Sequence, residues 1–281
     1  VYAFEAFLGF RRPREIWPVV RAQAEYTLQL DEMSSEAHIC LGMAYALFDW
    51  RWRDAESHFQ KAVERDSYSG AGHVWRALAV LIPMGKLAAA TDELAKAREL
   101  APAPFLEEAE VLAQYFGEQY DAVLEHTARR AEAGPMPAWL QWVRSCALAG
   151  LGRTAEAIEQ LQKLEQGDPE RPRIVSTLGY VYGLAGEPDQ AREALARLKQ
   201  RRERGDYVSN YDLALVEAAL GNRNEAVAVL QEALREREPW VVFLGVDPRM
   251  KLLQDNPRVA GFRGKILEFG EIPAVPNEPA G

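Results

Sequence analysis

The chain is poor in cysteine. Cys40 and Cys146 are its only two in 281 residues, too few and too far apart for a disulfide framework or a thiolate zinc site. Long apolar runs are also missing. The longest stretch without Asp, Glu, Lys or Arg is Ile174–Gly186, 13 residues, against the roughly 20 that span a bilayer. No charged-then-apolar leader with a small-residue cleavage site opens the sequence. Positive charge is scarce: 33 Lys and Arg face 42 Asp and Glu, a formal net charge of −9. The two basic clusters, Arg11, Arg12 and Arg14, then Lys199, Arg201, Arg202 and Arg204, are short and fall near expected helix ends. They read as solvated faces. A phosphate-binding surface needs denser basic charge, so nucleic acid is excluded as the direct partner. Strand alternation is missing too. Val241–Leu244 stands alone before Asp247-Pro248 and reads as a short helix or turn, since a lone strand has no partner. The first residue is Val1, so a fragment or a processed chain is expected, with function depending on a further segment.

What is present is a folded composition, 48% hydrophobic and 27% charged, well outside the disordered range. It is arranged in repeats. Leu41-Gly42-x-x-Tyr45 recurs as Leu178-Gly179-x-x-Tyr182. An alanine returns at Ala55, Ala90, Ala122, Ala157, Ala191 and Ala226, at intervals of 35, 32, 35, 34 and 35. Four residues beyond each stand Phe59, Leu94, His126, Leu161, Leu195 and Leu230; three further on stand Ala62, Ala97, Arg129, Leu164, Leu198 and Ala233. Small residues let two antiparallel helices approach, and large apolar ones fill the space to the next pair. Gly152-Arg153, Gly186-Glu187 and Gly221-Asn222 supply the left-handed residue ending each first helix, and Pro102 and Pro169 close two units.

This pattern resembles the tetratricopeptide repeat (TPR), a helix–turn–helix unit of about 34 residues. The resemblance implies an all-α, TPR-type α-solenoid, a right-handed superhelix of antiparallel helix pairs. The expected organisation is a single array over 1–269. Its units are a degenerate one at 1–34, then 35–70, 71–103, a degenerate 104–137, 138–171, 172–206 and 207–239. Residues 240–269 form a cap over the last apolar face, and 270–281 a disordered tail with three prolines. The unit at 35–70 carries one extra residue, expected in its turn at Asp49–Trp52. Two stretches are more particular: Glu36-Ala37-His38 to Trp52-x-x-Ala55-Glu56, and Asn210–Ala214 through Leu220-Gly221 with Val246-Asp247-Pro248-Arg249 and Asp255-Asn256-Pro257-Arg258. They resemble the C-terminal TPR half of bacterial multidomain regulators whose N-terminal part is a winged-helix or Ser/Thr-kinase domain. That resemblance implies an interaction or effector role. No motif of either partner domain is present.

No constellation for chemistry stands out. Gly150-Leu151-Gly152-Arg153-Thr154-Ala155 has the G-x-G-x-x-A spacing of a dinucleotide loop, but the fingerprint needs a preceding strand and a helix precedes it here. His38, His58, His73 and His126 lack metal-ligand spacing, and no pairing of Glu107, Glu108, Glu110 and Asp212 follows from the sequence. The chain is therefore expected to be no enzyme and to need no cofactor or metal.

Seven tryptophans are many for this length. Trp50 and Trp52 are expected against the next repeat, and Trp17 and Trp240 at the two ends of the array. First helices line the concave face of such a stack. The residues there that the repeat does not require, Trp75, Arg76, Trp139, Trp142, Arg173, Tyr180, Tyr211 and Asp212, form the candidate partner-binding stripe, Trp and Arg being frequent hot spots. On this reading they are exposed, and replacing Arg173 and Tyr211 by Ala leaves the fold intact. The expected function is a protein–protein interaction scaffold taking a peptide or partner protein in its groove, in the cytoplasm unless a missing upstream segment spans a membrane. The alternatives are a small-effector sensor of a transcription regulator or kinase, and an envelope-associated scaffold.

Overall fold

The computed structural model describes residues 2–9, 11–100, 103, 105–169 and 171–268. Pro102 and the expected tail lie outside them. No strand occurs among the described residues. The helices are α1 (Tyr2–Leu8), α2 (Pro13–Leu30), α3 (Ser35–Ala44), α4 (Trp52–Arg65), α5 (Ala71–Arg76), α6 (Leu87–Glu99), α7 (Leu106–Phe116), α8 (Tyr120–Glu132), α9 (Ala138–Gly150), α10 (Thr154–Gly167), α11 (Pro172–Leu184), α12 (Pro188–Glu203), α13 (Asn210–Ala219), α14 (Arg223–Arg235) and α15 (Pro257–Glu268). Two short 3₁₀ helices, Pro239–Phe243 and Pro248–Leu253, lie between α14 and α15, so the Val241–Leu244 run is not a strand.

Consecutive helices pack as antiparallel pairs, α3 on α4, α5 on α6, α9 on α10, α11 on α12 and α13 on α14, and each pair packs on the next. The repeated small residues explain how. A methyl group on Gly42 would stand 2.8 Å from the Phe59 ring, and one on Gly179 would stand 3.1 Å from Ala194 and 3.0 Å from Val216. A side chain at Gly42 would force the Phe59 ring to shift, and one at Gly179 would press on Ala194 and Val216. Ala55, Ala90, Ala157, Ala191 and Ala226 are fully buried on the second helices. Gly152, Gly186 and Gly221 have φ of 75°, 75° and 80°, the left-handed stops expected of them. His126 and Arg129 of the eroded unit do not enter the core. His126 is half-buried beside Glu107, and Arg129 pairs with Glu125 on the surface.

The extra residue of the second unit is placed differently from the expectation. It is taken up inside the first helix, where α3 continues into a π turn, Tyr45–Asp49. A π turn is one residue wound into an α-helix. A second one, Ala77–Leu81, extends α5.

The larger difference concerns the ends. The segment after Glu238 does not simply stack on the last pair. The Pro239–Phe243 turn packs on α1 and on the π turn after α3. The Pro248–Leu253 turn packs on α13, and α15 lies against α14. Trp240 Nε1 donates to the Phe7 carbonyl at 3.1 Å, 233 positions away. Trp52 Nε1 donates to the Ile266 carbonyl at 2.7 Å, so Trp52 meets α15 as well as its own layer. Arg14 reaches the Arg235 carbonyl and the Glu236 carboxylate. The first and last layers are thus clasped together by the two ends of the chain.

Candidate peptide-binding groove

Inside this clasp lies a continuous aromatic cluster. Phe7 of α1 is fully buried. Its ring sits edge-on to Trp75 at 5.6 Å and meets Trp139, Trp240 and Phe243 within 6.4 Å. Phe4, one turn earlier, is edge-on to Phe105 at 4.7 Å. Phe105 stacks on Trp75 at 5.8 Å with a left-handed backbone, φ 69°. That conformation costs a bulky residue about 1–3 kcal/mol, and its ring contacts oppose the cost. Trp139 and Trp142 lie 4.8 Å apart, and Trp142 is edge-on to Trp240 at 5.7 Å. Trp240 is therefore at the centre of the groove, not at an end of the array.

The stripe expected from sequence divides in three. Trp75, Trp139, Trp142, Arg173, Tyr211 and Asp212 come together around Phe7 and Trp240. Tyr180 is separate: it lines a cleft of about 260 Å³ with Tyr115, Tyr120, Cys146, Arg249 and Lys251. Arg76 is separate as well. It pairs with Glu56 and Glu93 in a cleft between α4, α5 and α6.

The expected exposure of the stripe does not hold. Trp75, Trp142, Tyr180, Tyr211 and Asp212 are buried, and the Arg173 side chain is only 11% exposed. The physical reason is that α1 and the 239–253 segment lie over them. Sequence spacing identified residues that the repeat does not need, but what they pack against is supplied by α1 and the segment after Glu238, outside the repeat each belongs to.

The polar side chains of the cluster fall into two sets. In one, Asp247 accepts from the Tyr211 hydroxyl at 2.9 Å and from Arg249 Nε and Nη2 at 3.0 and 2.7 Å. The Arg249 guanidinium lies 5.2 Å from the Trp142 ring. This gives Val246-Asp247-Pro248-Arg249 a local role: Pro248 starts the turn, and the flanking ion pair fastens it to α13. The other set is less well satisfied. The Arg173 guanidinium lies over Trp240 at 4.2 Å, with Trp142 and Trp139 at 5.7 and 5.9 Å. Its Nε is 3.6 Å from Asp212 Oδ2, beyond good hydrogen-bond length. Arg173 Nε and Nη1, Asp212 Oδ1 and the Tyr207 hydroxyl are buried without a hydrogen-bond partner. Burial pushes the Arg173 pKa down, against the pull of Asp212. Burial also raises the Tyr207 hydroxyl far above its usual range.

Glu238 organises the neighbouring helix start. It accepts from Ser209 Oγ at 2.6 Å and from the Asn210 and Tyr211 backbone N–H at 2.8 and 2.9 Å. It thus satisfies orphan donors at the N-terminus of α13 from 27 residues or more downstream. No sequence signal marked it, because capping patterns are local.

Cys146 is fully buried, which pushes its thiol up to about 12, the opposite of an activated thiolate. Glu107 pairs with Arg130 and Glu110 with Arg98. His38 and His58, unremarkable in sequence, meet at 3.0 Å between their Nδ1 atoms. Among the described residues, no group of three or more His, Cys, Asp or Glu is placed to hold a metal, and no helix is long and apolar enough to cross a membrane.

The tetratricopeptide repeat profile matches residues 148–210, the stretch from the end of α9 through the start of α13. The fold is a TPR-type solenoid. No curated protein sequence matches the chain at a significant level. The match covers α10 and the regular pair α11 and α12. It leaves out the first two TPR layers, where the π turns lengthen the first helices, and the clasping ends.

Proposed function

We propose that this TPR solenoid is a non-enzymatic protein-interaction module, the interaction part of a larger bacterial regulator acting in the cytoplasm, and that it takes a short helical peptide in its concave groove in place of α1. TPR arrays are generally protein-interaction modules, and their rigid concave surface suits helix-in-groove recognition. The observation that carries the reading is α1 itself. It is a seven-residue helix that inserts Phe4 and Phe7 between Trp75, Phe105, Trp139 and Trp240, as an internal ligand would. A helix this short is marginal on its own and is held by the groove.

The test is calorimetric titration of a synthetic peptide with the sequence of residues 2–9 into the full chain carrying Phe4→Ala, which weakens the internal competitor. Saturable binding, abolished when the peptide's own Phe7 is replaced by Ala, is expected. No heat of binding up to millimolar peptide rejects the reading.

A second reading, a small-effector site, rests on the Tyr180 cleft. Arg249 Nη1 is buried without a partner there, and the 260 Å³ volume takes a molecule of about ten heavy atoms. Screening small carboxylic acids by thermal shift, with Arg249→Lys as control, tests it.

A further inference from the structure

The peptide position that meets Arg173 can be read from the way α1 lies. Gly9 follows α1 with φ 75°, and a Cβ built on it would stand 3.2 Å from Arg173 Nη2. A side chain at that position of a bound helix would therefore enter beside a guanidinium whose Nε and Nη1 have unmet hydrogen bonds. Arg173 Nε and Nη1 and the Tyr207 hydroxyl offer donors there, and Asp212 Oδ1 is an unused acceptor. Unpaired buried polar atoms are rare in folded proteins, and here they converge from α11, α13 and the segment before α13. The complementary group needs both an acceptor and a donor on a short stem. A carboxylate has no donor for Asp212, and an ammonium has no acceptor for Arg173. A primary carboxamide has both. Asparagine is also the non-glycine residue that best tolerates a left-handed backbone.

We propose that the groove recognises a helix of the form aromatic-x-x-aromatic-aliphatic-Asn. Its two rings take the places of Phe4 and Phe7, and the asparagine amide accepts from Arg173 and donates to Asp212. This deepens the peptide-binding reading and rests on it. The chain's own glycine leaves those bonds unmade, so α1 is a weaker occupant than the partner and yields to it.

Four peptides with the sequence of residues 2–9 test this, carrying Gly, Ala, Asn or Leu at the last position. Each is titrated into the Phe4→Ala full chain, or into the unaltered chain at higher peptide concentration if that variant does not fold. The Asn peptide is expected to bind at least tenfold tighter than the Gly peptide, the worth of one or two well-made charge-assisted bonds, and the Leu peptide weaker than both. In a chain also carrying Asp212→Asn, the Asn preference should fall below threefold. Binding of the Gly and Asn peptides with equal affinity overturns the asparagine assignment and leaves the peptide-binding reading intact. Absence of binding by all four overturns both.

Discussion

At the scale of single residues, Tyr211 and Arg173 measure what the clasp does. Tyr211 is fully buried and its hydroxyl bonds to Asp247. Tyr211→Phe should cost about 1 kcal/mol, one net hydrogen bond, with Asp247 still held by Arg249. Replacing both Arg173 and Tyr211 by Ala removes a buried ring and a guanidinium stacked on Trp240. It should cost more than about 3 kcal/mol in urea unfolding, not the few tenths of an exposed pair. Two other residues each weaken the fold in acid. Burial pushes the His58 pKa down to about 4, helped by neighbouring His38, so the folded state binds fewer protons than the unfolded one between about 4 and 6.5. Burial alone would raise Glu93, but hydrogen bonds from His73 and Lys96 and the charge of Arg76 hold it down at about 2. Both contributions are present near neutral pH. His58's is lost as pH falls from 6.5 to about 4, and Glu93's from 4.5 to about 2. Glu238, Asp49 and Glu108, whose carboxyls burial shifts up, work in the opposite sense, so the readout is the variant: His58→Gln should remove the loss of unfolding midpoint between about pH 6.5 and 4 and leave the rest of the profile.

At the scale of elements, the segment after Glu238 tests the difference between a cap and a clasp. Trp240, Val241, Val242, Phe243 and Leu253 are all buried, and each such side chain contributes about 1.5–3 kcal/mol. Ending the chain after Glu238 should lower the melting temperature sharply and expose the Trp75–Trp139 surface, which dye binding would report. A simple end cap would leave the distant α1–α5 region protected from hydrogen exchange. Loss of protection there as well identifies the clasp, because Trp240 and α15 touch Phe7 and Trp52 directly. The pattern of alanines, glycines and leucines made the helix pairs legible in advance, since each acts on a neighbour in its own repeat or the next. Ala157, Leu161, Gly179 and Gly186 do in the structure what their spacing implies. Phe7, Glu238 and Arg249 carried no such signal. Their partners are fixed by how the whole array curves, and no local period encodes that.

At the scale of the whole molecule, the clasp changes how the array unfolds. An open solenoid touches only nearest neighbours, so its repeats can melt in sequence. Here the Arg14–Glu236, Trp52–Ile266 and Trp240–Phe7 contacts close the chain on itself. Loss of any layer loosens the aromatic centre that the others share. Far-ultraviolet circular dichroism and tryptophan fluorescence should trace one coincident transition. Transitions that separate by several degrees would show layers melting independently.

The π turns at Tyr45–Asp49 and Ala77–Leu81 bear on how the gene can change. Each stores one surplus residue inside a helix, and each lies in one of the two TPR layers nearest the start of the chain. Loss of one codon there would wind the turn back to an ordinary helix and keep the flanking faces in phase. Loss of one codon in α9 or α11, which hold no such slack, would rotate every following side chain by about 100°. Length variation among descendants of this gene should therefore collect at those two turns and spare the helices that carry Trp139 and Arg173.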